Sequence, residues 1–260
     1  MAALVDRKLG AILGATVADA AAQPLHWNYN LEKLDGILGD KTDIEFWRPS
    51  QNPFYCIETG KNSCYGDQAF TVLESLAAIR DVDQQDLKER FYKRFGPGSE
   101  YCNKQVEEYV QKSGVKKTYP VQGPWKQSSI KQFLANYEAG KENTGSETDT
   151  QIDGVTKVAP VVARFAGQPE MLQKVEDMVR VTQDTDLAVA VALAAARLLE
   201  LYILNGPDEN AVQKVIDQLS DPNRNNPQDL DKAMVAHLRK VLAVKDQPHR
   251  QVTTQVFKSS

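Results

Sequence analysis

Apolar side chains recur at intervals of three or four residues along most of this chain, and the alternation typical of β-strands hardly occurs. The clearest stripe consists of Leu87, Phe91 and Phe95, and a Gly-Pro-Gly sequence follows it directly. Glycine and proline at such a position are typical of a helix end. The pattern predicts about ten helices with mostly short connections. We therefore expect an all-α fold, with residues 1–260 in a single compact multi-helix domain.

The predicted helices are located by their apolar stripes, which cover 12–17, 72–79, 87–95, 106–110, 130–137, 155–162, 172–179, 187–199, 212–219 and 230–242. Polar or proline residues suggest where some helices start or restart: Ser128 or Ser129, Pro160, Thr182 or Asp184, Asp208 and Asn226. Three longer connections, 28–65, 115–127 and 140–153, have room for functional groups. Of these, the polar segment 141–150 is predicted to be mobile.

Composition limits the partners of the chain. Hydrophobic residues make up 42%, charged residues make up 25%, and the net charge is −4. This is typical of a soluble globular protein and predicts no nucleic-acid or membrane partner. No apolar run approaches the roughly 18 residues of a membrane span. The richest run, 187–199, contains Arg197, and the first eight residues do not follow the pattern of a secretory signal.

The cysteine content indicates the compartment. Cys56, Cys64 and Cys102 are an odd number, and no further His or Cys stands at metal-binding spacing from Cys56 or Cys64. Reduced thiols are the simplest interpretation, and they predict a cytoplasmic protein.

Small residues at four-residue spacing mark the first helix. Gly10, Gly14 and Ala18 lie on one stripe, and each interior glycine costs about 1 kcal/mol relative to alanine. Such a stripe favours a helix that its neighbours pack against closely, and therefore not a surface helix. Asp19 follows the stripe. We favour a role in which Asp19 accepts hydrogen bonds from a neighbouring loop, and the alternative is a carboxylate directed into a site.

A second aspartate stands where the next helix begins. Asp67 lies in the sequence Tyr65-Gly66-Asp67-Gln68, just before an apolar stripe. A carboxylate at this position can cap the helix or interact with the positive end of its dipole. The alternative is that Asp67 is an oxygen ligand for Mg²⁺.

These motifs carry a resemblance to a known family. Residues 10–20 resemble the N-terminal helix of the ADP-ribosylglycohydrolase family, which reads Gly-x-x-x-Gly-x-x-x-Gly-Asp-Ala. Residues 65–68 stand where the family has a Thr-Asp-Asp-Thr motif, and 153–160 resemble its Asn-Gly and Met-Arg-x-x-Pro segment. Residues 19–27 and 52–55 are more specifically similar to the jellyfish lens J-crystallins, which are relatives of these hydrolases. The resemblance extends over nearly the whole chain.

The resemblance implies a site for two Mg²⁺ ions, from which this sequence departs. The family binds the ions through the Thr-Asp-Asp-Thr motif and a C-terminal Asp-x-Asp-Thr motif. In this chain Tyr65, Gly66 and Gln68 replace three of the four residues of the Thr-Asp-Asp-Thr motif. Only Asp67 remains, as a vestigial candidate for a metal ligand. We therefore expect no cofactor, and Mg²⁺ only if the chain is an active hydrolase.

The second metal motif has no clear counterpart in this sequence. Asp184-Thr185-Asp186 resembles it, but its distance from 153–160 matches a different segment of the family. We interpret Thr182, Asp184 and Asp186 as residues that cap a helix or interact with its dipole. We expect either a protein that evolved without the second motif or a C-terminally shortened form.

The preferred functional hypothesis is a structural eye-lens crystallin derived from an ADP-ribosylglycohydrolase, without catalytic residues. One alternative is a Mg²⁺-dependent hydrolase that removes ADP-ribose from proteins, with Asp19 and Asp67 at the metal and Glu45 or Glu58 as partners. Another is a non-catalytic ADP-ribose-binding module. His26 is interpreted as a loop or core residue. The three tryptophans are expected in the core beneath loops, with nucleobase stacking as the alternative: Trp27, Trp47 and Trp125.

Overall fold

The computed structural model describes residues 2–102 and 119–257, and these residues form a helical fold, as predicted. The helices of the described part are α1 (Ala2–Ala22), α2 (Leu31–Leu38), α3 (Cys64–Ile79), α4 (Gln84–Phe95), α5 (Ser128–Glu138), α6 (Asp153–Thr156), α7 (Val158–Phe165), α8 (Met171–Arg180), α9 (Asp186–Asn205), α10 (Ala211–Ser220), α11 (Asp231–Val244) and α12 (His249–Gln251). A 3-10 turn, Gln23–Leu25, follows α1, and a π-helical turn, Val252–Val256, follows α12. The predicted helix at 106–110 lies outside the described residues.

Helix α4 follows its sequence pattern closely. Leu87, Phe91 and Phe95 are at most 1% exposed and belong to the main core. The Asp83 carboxylate caps the start of the helix by accepting hydrogen bonds from two backbone N–H groups of the first turn. The helix ends before Gly96.

Helix α9 lies at the centre of the fold. It packs against α1, α6, α7 and α8 on one side and against α10 and α11 on the other. Of the first group, α1, α7 and α8 contribute residues to the main hydrophobic core. The second group forms a smaller cluster around Val215, Ile216, Leu219 and Val235.

The apolar run of helix α9 is also longer than we predicted. In the described part of the chain it is the one helix whose length and composition would allow it to cross a membrane, with a mean hydropathy of 2.1. The expectation that no run approaches this length was wrong, because apolar residues continue beyond Arg197. Arg197 is only 6% exposed, and it donates a hydrogen bond to the Asn225 carbonyl oxygen at 2.6 Å.

Several helices begin elsewhere than predicted. Thr185, and neither Thr182 nor Asp184, caps α9. The Thr182 hydroxyl instead accepts a hydrogen bond from Lys157, and Asp184 pairs with Arg180. Asp186 lies in the first turn of α9, as expected of a residue that interacts with the dipole.

The remaining errors concern the starts of α5, α7, α10 and α11. The Ser129 hydroxyl donates to Asp153 and does not cap α5, which follows Gln127. Helix α10 follows Asn210 and α11 follows Leu230, so the starts predicted at Asp208 and Asn226 were too early. The break predicted at Pro160 lies at Lys157.

The long connections are more ordered than predicted. Helix α2 lies within 28–65, and β1 (Tyr55–Cys56) pairs in parallel with β2 (Val121–Gln122). The segment 141–150 is fixed by hydrogen bonds: the Thr144 hydroxyl donates to the Val181 carbonyl at 2.8 Å, and the Ser146 N–H donates to the Thr182 carbonyl at 2.9 Å. The expectation of mobility was therefore wrong.

Helix α1 differs most from its prediction. It packs against α3, α7 and α9, and Leu4, Ala11 and Ile12 contact the main core. The glycine stripe faces away from that contact, since a Cβ atom at Gly10 or Gly14 would meet nothing within 4 Å. The interpretation of α1 as a closely packed, non-surface helix was wrong. Apolar residues occur all around α1, so its pattern did not identify the buried face.

The open space at Gly14 gives a stability prediction. Gly14→Ala is expected to raise the free energy of unfolding by about 0.5–1 kcal/mol, because alanine restricts the unfolded chain and meets no neighbour in the folded one. Urea denaturation followed by far-UV circular dichroism measures the change. A destabilised variant would show that the glycine stripe is covered in solution.

Candidate functional site

Asp19, at the end of α1, holds the loop that leads into α3. Its carboxylate accepts hydrogen bonds from the Ser63 N–H at 2.7 Å, the Ser63 hydroxyl at 2.6 Å and the Asn62 side-chain amide at 3.0 Å. The Asn62 amide also donates to the Thr16 carbonyl oxygen at 2.9 Å. The favoured interpretation of Asp19, a carboxylate bonded to a neighbouring loop, is confirmed.

Gly66 lies directly against this group of hydrogen bonds. A Cβ atom at Gly66 would overlap the Asp19 Oδ2 atom and lie 2.5 Å from the Asn62 Nδ2 atom. It would also lie 2.9 Å from the Asn62 Cβ atom, which cannot move away by a simple side-chain rotation. The position where the related motif has its first aspartate therefore has no room for any side chain in this arrangement.

Asp67 points to a different partner. Its Oδ2 atom accepts a hydrogen bond from the Tyr101 hydroxyl at 2.7 Å. Burial raises the pKa of Asp67, and the Tyr101 hydrogen bond opposes this effect. Asp67 lies in the first turn of α3, but Ser63 caps the helix by accepting a hydrogen bond from the Tyr65 N–H.

Behind Asp67, five buried side chains form what we term the buried lysine cluster: Gln68, Ser129, Asp153, Lys157 and Thr182. The Lys157 amino group donates to the Gln68 Oε1 atom at 3.2 Å and to the Thr182 hydroxyl. Asp153 Oδ2 accepts from the Ser129 hydroxyl and, at 3.5 Å, from the Gln68 amide. Asp153 Oδ1 has no hydrogen-bond partner. This cluster was not predicted as a unit, although Lys157 within a valine-rich stretch is an unusual residue type.

Burial shifts the pKa values of Lys157 and Asp153 towards their neutral forms, and the attraction between the two charges opposes both shifts. Burial lowers the pKa of Lys157 to about 8, and the nearby Asp153 charge opposes that shift. Burial likewise raises the pKa of Asp153, against the effects of Ser129 and Lys157. A cationic side chain therefore lies inside the protein next to Gln68, the last residue of the degenerate metal motif.

The lowered pKa of Lys157 predicts a pH dependence. Between about pH 8 and pH 10, the Lys157 side chain binds more protons in the unfolded chain than in the folded one, so its contribution to the free energy of unfolding should rise with pH. One such group contributes at most about 1.4 kcal/mol per pH unit. Urea unfolding across this range measures the slope, and Lys157→Met should decrease it. An unchanged slope in that variant would contradict the assignment.

These residues do not fit a pair of Mg²⁺ ions. Asp67 is bonded to Tyr101, position 66 has no space for a ligand, and Gln68 accepts from Lys157. Across 2–102 and 119–257, no group of three or more His, Cys, Asp or Glu residues has an arrangement that could hold a metal ion. Glu45 and Glu58 are exposed and lie outside the lining of the cleft described next. A site of this kind requires several carboxylates in near-octahedral geometry.

A cleft of about 450 Å³ lies between α1, the start of α3, α6, α7 and α9. Apolar side chains form most of its wall: Ala11, Ala15, Ala22, Ala69, Val155, Val158, Ala159, Ala195 and Leu199. Its polar lining residues are Thr16, Asp19, Gln23, His26, Tyr65 and Thr156. The lining described by the structure contains neither lysine nor arginine.

His26 and Tyr65 line the cleft, and further aromatic rings pack next to His26. The His26 ring lies 4.8 Å from the Trp27 ring and 5.5 Å from the Tyr65 ring. Burial lowers the pKa of His26, and Asp19 opposes the shift. Trp27 packs edge-on against Phe54 at 5.6 Å and against Trp125 at 6.0 Å. His26, Trp27 and Trp125 thus belong to a half-buried aromatic cluster outside the two hydrophobic cores, so these tryptophans lie beneath loops but not in the main core.

The helical fold and the altered metal motif at residues 65–68 indicate the class of protein. Comparison with known proteins identifies the family. Residues 1–259 match the family model described as ADP-ribosylglycohydrolase. The chain therefore belongs to the ADP-ribosylglycohydrolase family, as its sequence motifs predicted.

Within that family, the chain is 33% identical to Crystallin J1A of Tripedalia cystophora over 216 residues, which are 83% of this chain and 64% of the relative. It is also 33% identical to Crystallin J1B of the same animal over 211 residues, which are 81% of this chain and 62% of the relative. The chain thus spans less than two thirds of the length of these curated relatives.

A solved structure supports the fold. A chain of an ADP-ribosylglycohydrolase-related protein complex superposes with a TM-score of 0.55 at 17% sequence identity. The match covers 93% of this chain and 77% of the other. At that identity the similarity shows the fold alone.

Proposed function

We propose that this chain is a structural protein of the lens-crystallin type, built on the ADP-ribosylglycohydrolase fold and without hydrolase activity. The observation that carries the proposal is the packing at Gly66, where Asp19 and Asn62 fill the space that an aspartate would need. The similarity to two lens crystallins supports the choice of a structural role.

The proposed loss of catalysis follows from the chemistry of the cluster. Hydrolysis assisted by two Mg²⁺ ions needs carboxylates that are free to bind them. In this chain one carboxylate of the motif remains, and it is bonded to Tyr101. The adjacent interior holds the Lys157 amino group, which repels a divalent cation when it is charged. We therefore propose no catalytic residue and no cofactor.

A structural role also sets the expected environment. The free thiols of Cys56, Cys64 and Cys102 support the cytoplasm, where cysteines stay reduced. The net charge of −4 provides no attraction for nucleic acid or an anionic membrane. We propose a cytoplasmic protein with neither as a partner.

Two measurements test the proposal. The purified protein is incubated with ADP-ribosylated arginine or serine peptides and millimolar Mg²⁺, and free ADP-ribose is quantified by chromatography. We expect no release above a reaction without protein. Metal-dependent release that Asp67→Asn abolishes would overturn the loss of catalysis. Quantitative proteomics of lens and other tissues tests the structural role, which requires abundance in the lens.

The retained cleft is the observation that favours a second candidate, a binding module for ADP-ribose without turnover. ADP-ribose carries two phosphates, and the described lining of the cleft offers no cationic side chain to pair with them. We therefore rank this function second. A rise in thermal unfolding temperature with ADP-ribose, without hydrolysis, would select it.

A further inference from the structure

Arg197, on α9, is a buried cation without a carboxylate in contact. It is 6% exposed, and its Nη2 atom donates a hydrogen bond to the Asn225 carbonyl oxygen at 2.6 Å. Burial lowers the pKa of Arg197, and the charges of Asp231 and Glu200 oppose this shift, but neither carboxylate forms an ion pair with it. A guanidinium stays charged in proteins, and a buried charge is costly unless it is paired. An anionic group beside Arg197 would therefore be stabilised.

Arg197 also forms part of the wall of a cavity of about 310 Å³. This cavity lies between α9, the start of α8, the end of α10 and the loop 221–225, and it shares no lining residue with the cleft beside α1. The Nε atom of Arg197 is enclosed without a hydrogen-bond partner. The Nη1 atom forms no hydrogen bond with a described residue either, but it is not enclosed, so it is the donor that remains accessible.

Two carboxylates of the cavity wall each keep one oxygen atom free. Glu200 Oε1 accepts a hydrogen bond from the Gly167 N–H at 2.8 Å, and Asp221 Oδ1 accepts one from the Asn223 N–H at 2.8 Å. Within the described chain, Glu200 Oε2 and Asp221 Oδ2 accept no hydrogen bond. Arg197 and Glu200 lie three residues apart on α9, so their side chains are neighbours on one face of the helix.

The charges of the lining limit what this cavity can bind. The other cation of the wall, Arg224, already pairs with the buried Asp231 at 2.5 Å. One positive group, Arg197, and two negative groups, Glu200 and Asp221, therefore remain to face a bound molecule. A purely anionic ligand would be repelled by the two carboxylates, and a purely cationic ligand would be repelled by the arginine. A molecule that carries both charges avoids these conflicts.

We propose that this cavity binds a small zwitterion, a free α-amino acid, with its carboxylate at Arg197 and its ammonium group at Glu200 and Asp221. A guanidinium donates charge-assisted hydrogen bonds to a carboxylate, and carboxylates accept them from an ammonium group. The two charged groups of an α-amino acid are joined through a single carbon atom, so both can reach neighbouring side chains on one helix face. The volume of the cavity leaves room for the side chain of the amino acid.

This binding role goes beyond the proposed structural role and does not depend on it. The site uses no metal ion and lies apart from the cleft and from the buried lysine cluster. A failure of amino-acid binding would leave the proposed loss of catalysis unchanged. A positive hydrolase assay would likewise not decide whether the Arg197 cavity binds a zwitterion.

Titration with glycine tests the proposal, because glycine carries both charged groups and no side chain. Two-dimensional ¹H–¹⁵N NMR of the full chain is recorded at pH 7 and constant ionic strength with glycine, acetate or methylammonium. We expect saturable glycine shifts around Arg197 and in the loop 221–225. Acetate and methylammonium each lack one charged group. Each should bind at least about tenfold more weakly, the usual effect of a lost hydrogen bond between charged groups.

Two cavity variants and a matched surface control locate the binding. Arg197→Met removes the positive group, and Glu200→Gln removes a negative group while its amide oxygen can still accept from the Gly167 N–H. Each should weaken glycine binding at least about tenfold. Glu209→Gln makes the same change at an exposed carboxylate outside the cavity and should leave binding unchanged. Circular dichroism confirms folding, and Glu200→Gln decides the result if Arg197→Met does not fold.

The proposal is overturned by any of four results. These are the absence of saturable glycine shifts at the cavity, binding of acetate or methylammonium as tight as that of glycine, glycine binding that neither cavity variant weakens, and an equal weakening by Glu209→Gln.

Discussion

Lys157→Met is expected to lower the free energy of unfolding by about 1–3 kcal/mol, the usual cost of leaving a buried hydrogen-bond acceptor without its donor. Lys157 is fully buried and donates to Gln68 and Thr182. Without its amino group, both acceptors lose their donor, and the Asp153 carboxylate loses the nearby positive charge. Urea unfolding at pH 7 followed by circular dichroism measures the loss.

A double-mutant cycle identifies the source of this effect. Asp153→Leu alone should also destabilise the protein, because Lys157 would then be a buried charge without a counter-charge. The double variant should lose less than the sum of the two single losses, since it removes both charges together. Strictly additive losses would contradict the coupling.

A surface lysine provides the control for this cycle. Lys174 pairs with Asp81 at 2.6 Å, and the Asp81 side chain is 54% exposed. Lys174→Met should therefore cost only about 0–1 kcal/mol. A comparable loss in the two lysine variants would mean that burial is not the cause.

Gly66→Ala is expected to destabilise the protein by about 3 kcal/mol. The new methyl group would overlap the Asp19 carboxylate and the Asn62 side chain, so their hydrogen bonds to each other and to Ser63 must break. Overpacking costs about 1–3 kcal/mol, and a lost hydrogen bond to a charged group costs about 1.5–3 kcal/mol. The same substitution at Gly14, where space is open, should have the opposite sign.

A second cycle and a metal titration extend this test. Asp19→Ala makes room beside position 66, so the Gly66→Ala/Asp19→Ala variant should lose less than the sum of the single losses. Gly66→Asp restores the residue type of the family motif, but it should produce no heat on calorimetric titration with Mg²⁺. Tight, saturable Mg²⁺ binding by Gly66→Asp would show that the loop rearranges easily.

The sequence predicted the class of fold because most helices contrast an apolar stripe with a polar face. Helix α4 is the clearest case, since Leu87, Phe91 and Phe95 lie in the core and Gly96 follows the last turn. Helix α1 lacks that contrast, so its stripe of small residues was assigned to the wrong side. Helix α2 and the two-residue strands are short elements in loops, which local periodicity does not detect.

The site was predicted in part. The motifs located Asp19 and Asp67 in the segments that surround the cleft, and the hydrogen bonds of Asp19 to a loop agree with the favoured interpretation. The role of Lys157 could not be predicted, because its partners Gln68 and Thr182 lie 89 and 25 residues away in the chain. Helix starts such as that of α9 were misplaced for a similar reason, since Thr182 is bonded to Lys157 and does not cap the helix.

The filled space at Gly66 constrains the order in which substitutions could return this chain to a metal-binding sequence. An aspartate there needs the volume that Asp19 and Asn62 occupy, so a change at position 19 or 62 has to come first. Either change breaks the hydrogen bond between Asn62 and Asp19 and supplies no ligand. Each such step would therefore lower stability before any bound ion could compensate for it.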